Sequence, residues 1–173
     1  VSFHILTTKD GILERVRGSR LVHQIVTVRG LQNIIMMMIL GGVFDRHPKL
    51  RVAFLEAGAT WLPFFLDRLH EHWEKRGDWI PNGWQRDPRE YVARGQIYVS
   101  CEPDETVLPA VIDALGPDFV MYASDYPHWD GEFPESTRAL RTRTDISEPA
   151  RRKLLGENAR RFVAEENKGN EHV

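Results

Sequence analysis

The chain has 173 residues, 42% of them hydrophobic, with 23 Lys+Arg against 25 Asp+Glu and a formal net charge of -2. That length suits one domain able to bury a core, and the near-balanced charge excludes the basic footprint of a nucleic-acid or anionic-membrane binder. A single cysteine, Cys101, excludes an internal disulfide and fits a reducing compartment. The opening VSFHILTTKD lacks the charge pattern of a signal peptide. The run IIMMMIL, Ile34 to Leu40, is far shorter than the roughly 20 residues of a membrane helix. A soluble, cytoplasmic protein is expected.

The first predicted strand is VSFHIL, Val1 to Leu6. A helix is expected over Leu31 to Phe44, stopped by His47-Pro48. RVAFLE, Arg51 to Glu56, reads as the second strand and leaves through AGAT. Leu62, Phe65, Leu66, Leu69 and Trp73 recur at helical steps and predict a helix over Trp61 to Lys75. After Gly77 comes a loop rich in Trp, Pro and Gly, then a short turn at DPREYV. QIYVSC, Gln96 to Cys101, is the third strand, and Asp104 to Leu115 a helix with Val107, Val111, Ile112 and Leu115 on one face. FVMYAS, Phe119 to Ser124, is the fourth strand, entered through Gly116-Pro117. Ser147 caps a last helix carrying Leu154, Leu155, Ala159, Phe162 and Val163, and the polar tail AEENKGNEHV is expected to fray.

Short strands alternating with helices predict an α/β fold with a parallel sheet. In such folds chemistry gathers at the carboxyl ends of the strands. Here those ends are His4, Glu56, Cys101-Glu102 and Asp125, all able to ligate a metal or move a proton. Alternation puts Asp125 on the face of Met121 and Ala123, with His128 and Asp130 on the loop above; its bland alternative is an Asx-turn or helix cap before Pro127. His4 in an apolar strand can equally be a satisfied core residue. Glu56, on the face of Val52 and Phe54, needs a partner, a metal or water if buried, and an arginine would serve. Glu102 and Asp104 read as acids at a helix start. Trp61, Trp79, Trp84 and Trp129 either wall a pocket for a planar substrate or fill core and subunit contacts. HEH, His70 to His72, falls mid-helix in a charged run and reads as a solvated face. G-x-G-x-x-G, P-loop, G-x-S-x-G and C-x-x-C signatures are absent, which excludes those chemistries by their usual marks.

Three stretches carry a resemblance to the carboxyl-terminal half of amidohydrolase-superfamily proteins of the amidohydrolase-2 branch, which includes aminocarboxymuconate-semialdehyde decarboxylase-like enzymes. VSFHILT resembles the fifth-strand segment. GGVFDRHPKLRVAFLEAGATWLPFFLDRL resembles the helix, sixth strand and next helix. FVMYASDYPHWD with GENARRFV resembles the eighth strand and terminal helix. The resemblance implies a (β/α)8 TIM barrel, with residues 1–173 covering about strands 5 to 8, and a divalent metal, usually zinc, at the mouth. It implies His4 as a metal ligand and Asp125 as metal contact and proton shuttle, acting on a small carbonyl or carboxylate substrate by hydrolysis or by non-oxidative decarboxylation of an aromatic or enol acid. Glu56, Arg68, His128 and Trp129 are the expected substrate contacts. Glu56 falls where many decarboxylase relatives have a histidine, and the family's first-strand H-x-H or E-x-H pair has no counterpart. Four strands cannot close an eight-stranded barrel, so a protein of roughly 300 residues is expected. A homo-oligomer is expected as well. The competing readings are an inert half-barrel acting through interactions and, ranked last, a flavodoxin-like open sheet.

Overall fold

Each of the four runs expected to be strands contains one, and each is followed by helix among the described residues. A computed structural model describes residues 1–4, 20–128, 131 and 133–164, without the side chains of 20–27. The strands are β1 (Ser2–His4), β2 (Val52–Leu55), β3 (Ile97–Cys101) and β4 (Val120–Tyr122). The helices are α1 (Arg20–Leu40), α2 (Val43–Arg46), α3 (Trp61–Arg76), α4 (Pro88–Ala93), α5 (Leu108–Leu115), α6 (Ser136–Thr142), α7 (Glu148–Arg152) and α8 (Asn158–Ala164). Ile5 and Leu6, placed in the first strand by the sequence, lie outside the described residues.

Two expectations need correction. The helix expected over 31–44 starts at Arg20 and breaks at Gly41-Gly42, where Gly42 takes a left-handed φ of 66°. The helix expected from Asp104 starts only at Leu108, with Pro109 in its first turn, and Val107 is more than half exposed instead of joining the apolar face. Helix α6 has no apolar periodicity to announce it; fully buried Leu140 anchors it to the core.

The sheet order is β1-β2-β3-β4, every pair parallel, with Ser2 opposite Ala53, Val52 opposite Ile97 and Val99 opposite Val120. Strands that follow one another in sequence are neighbours throughout. A doubly wound sheet would reverse its order at a switch point, and no reversal occurs among the described strands. Val52, Phe54, Ile97, Val99 and Val120 face the helices and meet Ile35, Leu62, Leu66 and Leu154 in the main core. Ala53, Tyr98 and Met121 form a smaller cluster against Ala159 and Phe162 of α8. All five residues of β3 are buried, as expected for a central parallel strand covered on both sides. Among the described residues no helix is long and apolar enough to cross a membrane.

The Trp-rich loop is tied down by one carboxylate. Asp45 accepts from Tyr91 Oη at 2.6 Å, Arg86 Nε at 2.8 Å and Gln85 N at 3.0 Å. Burial pushes the Asp45 carboxyl up, but the three hydrogen bonds and the Arg86 charge outweigh it and leave it below the ordinary range. A carboxyl depressed in the folded state stabilises above its unfolded pKa, and that contribution disappears as pH falls through the folded value. Asp45→Asn is therefore expected to lose about 1–3 kcal/mol in urea unfolding at neutral pH, with the loss shrinking below about pH 4. A pH-independent difference between parent and variant would show that the charge is not what matters.

Candidate metal centre

The site is built from backbone turns that follow β2 and β4. Counting along β2 puts Glu56 on the face of Val52 and Phe54, beneath the helices. The structure departs from this count. Glu56 adopts φ 61°, and its carboxyl comes to lie beside that of Asp125. Left-handed backbone is unfavourable for a residue with a Cβ, and such outliers gather where a fixed side-chain direction matters. Glu56 N donates to Ser100 Oγ at 2.8 Å, which pins the turn to β3.

Asp125 repeats the device three residues beyond β4, with φ 51°. His128 N donates to Asp125 O at 2.8 Å, and His128 Nδ1 bonds Asp125 Oδ2 at 2.9 Å. A carboxylate only accepts, so Nδ1 carries the proton in that contact. Gly131 closes the turn, where a Cβ would come within 3.1 Å of Ser124 O. Trp129 and Asp130 lie outside the described residues.

Glu56, Asp125 and His128 each offer one ligand atom, and these atoms all lie within 4.8 Å of one another. His4, at the end of β1, meets Glu56 Oε1 through Nε2. Among the described residues the ligand cluster thus contains Glu56 and His128, expected from the sequence as substrate contacts, and His4 joins it through Glu56. Burial raises the Glu56 carboxyl above its ordinary value, the adjacent Asp125 raises it further, and His4 pulls it partly back. Two partly buried carboxyls this close repel one another unless one keeps a proton or a cation lies between them. Two hard oxygens and an imidazole suit a first-row divalent ion such as manganese or zinc. The residues fit a metal.

Other expected contributors are elsewhere. Arg68 projects from α3 and bonds Glu71 Oε2 at 2.6 Å, more than half exposed. Cys101 is fully buried on the helix side of β3, and burial drives its thiol pKa far upward, so it offers no thiolate. Of the described tryptophans, Trp84 is buried, Trp61 packs on Phe65, and Trp79 is exposed under Arg76. In HEH, His70 pairs with Asp87 at 3.0 Å and His72 bonds Arg68 O at 2.7 Å, on the helix flank.

A model of the amidohydrolase family matches residues 10–164, a span that begins beyond His4. The 2-amino-3-carboxymuconate-6-semialdehyde decarboxylase of Dictyostelium discoideum is 33% identical over 127 residues, 73% of this chain and 34% of that protein. The solved 5-carboxyvanillate decarboxylase of Sphingomonas paucimobilis is similar at a TM-score of 0.72 and 25% identity, over 94% of this chain and 48% of that one. A 5-carboxyvanillate decarboxylase of Novosphingobium aromaticivorans, complexed with manganese and 4-hydroxy-3-methoxy-5-nitrobenzoic acid, shares the fold at a TM-score of 0.69 and 22% identity, over 93% of this chain and 46% of that one. The chain spans between a third and a half of the length of these proteins. With a match along nearly its whole length, this chain belongs to the amidohydrolase family.

Proposed function

We propose that residues 1–173 supply strands 5 to 8 of a (β/α)8 barrel whose mouth holds a divalent metal and carries out non-oxidative decarboxylation of a small aromatic or enol acid. The observation that carries this reading is the convergence of Glu56, Asp125 and His128 from two strand ends. The decarboxylases similar to this chain favour the reaction type. The exposed edges of β1 and β4 are where the remaining strands would pair.

Glu56, Asp125 and His128 would hold the ion, with His4 orienting Glu56 and offering a further nitrogen. When bound, a divalent ion polarises a substrate oxygen and lowers the pKa of water. Asp125 then moves the proton. It would take a proton from water and deliver it to the carbon losing its carboxylate; the electron pair of the breaking C–C bond would form the new C–H bond, CO2 would depart, and hydroxide would be left to solvent. His128 holds Asp125 in position through its Nδ1–H.

A second reading, hydrolysis of an amide, lactone or carbon–carbon bond, is favoured by Glu56 itself. An acid there leaves two carboxyls able to take and return the proton of an attacking water. The full-length protein, purified and analysed by elemental mass spectrometry, is expected to hold a stoichiometric divalent metal and to release CO2 from an aromatic or enol acid. Metal without CO2 release, but with hydrolysis, would select the second reading. No stoichiometric metal after reconstitution would leave an inert scaffold.

A further inference from the structure

We infer that Glu105, far from the cluster in sequence, is a positioning residue that holds Glu56 in its ligating place. The inference rests on the metal-centre reading above. Between the end of β2 and the start of α3 the chain reverses within a few residues, passing through two left-handed positions, Glu56 at φ 61° and Gly58 at φ 66°. Such a turn keeps its shape only if something outside it holds both ends. Ser100 Oγ holds the Glu56 end. The other end is held by one carboxylate. Glu105 Oε2 accepts from Ala59 N at 3.0 Å and Thr60 N at 3.1 Å, while Oε1 accepts from Ala59 N at 3.1 Å and Glu102 N at 2.8 Å.

The carboxylate is therefore shared between the loop after β2 and the loop after β3. Thr60, the residue before α3, makes no side-chain cap of its own, so Glu105 also brings its charge to the positive end of that helix. A Cβ on Gly58 would lie 3.1 Å from Glu105 Oε1, so the carboxylate fills the space over the turn. Glu105 is itself anchored: Arg143 Nη1 donates to Pro103 O at 2.9 Å and Glu105 O at 2.8 Å, and Arg143 is braced by Asp145 at 2.7 Å. A chain of contacts thus runs from Arg143, at the carboxyl end of α6, through Glu105 to the turn that aims Glu56. Burial holds the Glu105 carboxyl above its ordinary range, and the backbone donors pull it only partly back.

A plain helix cap would contribute stability alone; a positioning residue would also govern metal affinity. The measurement is Mn²⁺ binding to the full-length protein by electron paramagnetic resonance, alongside thermal unfolding. Glu105→Gln replaces an acceptor oxygen with a donor amide that cannot receive the same N–H groups. Gly58→Ala disturbs the same turn from the opposite side and serves if Glu105→Gln fails to fold. Both are expected to weaken Mn²⁺ binding roughly tenfold or more. Asp45→Asn, which loosens the Trp-rich loop, is expected to lower the melting temperature with Mn²⁺ affinity unchanged. Parent-like Mn²⁺ binding in the two turn variants, with only a lower melting temperature, would reduce Glu105 to a helix cap. If the parent binds Mn²⁺ and Glu56→Gln does not, the metal-centre reading stands whatever the Glu105 result. A parent without Mn²⁺ affinity overturns both.

Discussion

Asp125→Asn in the full-length protein is expected to lower turnover by about 10²–10⁴-fold, the usual worth of a positioned proton donor or acceptor. Asparagine has nearly the same shape and keeps an oxygen for the Nδ1–H of His128, so the 125–131 turn should survive. It cannot carry the proton that either chemistry needs. The substitution also removes a carboxylate from beside Glu56, so the metal-free protein should unfold no more easily than the parent. The expected signature is therefore a collapse of kcat with an intact circular-dichroism spectrum and an unreduced melting temperature in chelator. Turnover close to the parent's would show that Asp125 moves no proton in the reaction.

Glu56→Gln is expected to drive two observables in opposite directions. Metal affinity should fall at least 10- to 100-fold, because a charged oxygen donor is lost from the cluster and second-sphere changes alone reach that size. Metal-free stability at neutral pH should rise. The Glu56 carboxyl titrates above its ordinary value in the folded chain because burial and Asp125 outweigh the contact with His4. For an acid raised by folding, the folded state binds more protons between the unfolded and folded pKa values. Stability then falls as pH climbs through that window and stays low above it. Glutamine has no such titration, so the variant's chelator-treated unfolding free energy should lose this decline above about pH 4.3. A variant that is less stable than the parent at neutral pH in chelator would mean that the bond to His4 outweighs the repulsion.

The opposed effects express a general trade. A site that gathers acids for a cation is destabilised until the cation arrives, and the rest of the fold must hold it in place. Here the holding groups are modest: Ser100 Oγ, the Glu105 carboxylate and the hydrogen bond from His128 to Asp125. None is announced by a motif. Ser100 sits inside an apolar strand, and Glu105 reads as one more acid in SCEPDE. Its role appears only when the loop after β2 is brought against the loop after β3.

Strand positions, the parallel α/β class and the candidate acids at the strand ends were legible in the order of residues, because buried parallel strands leave short runs of apolar and β-branched side chains in any sequence. The N-cap at Ser147 was legible for the same local reason, its Oγ accepting from Ala150 N. Helix beginnings were less so. Leu21, Ile25 and Val28 continue the three- and four-residue step of Leu31, Ile35 and Ile39, a helical spacing obscured by the β-branched run Ile25–Val28. Tertiary structure alone decided which residues meet. Alternation sends Glu56 toward the helices, and only a left-handed φ, stabilised by partners more than 40 residues away, brings it to Asp125 and His128. Packing likewise decided that Arg68 pairs with Glu71 on the surface of α3 and that Cys101 is buried on the helix side of β3. Local chemistry shaped the elements; the contacts between loops chose which side chains meet.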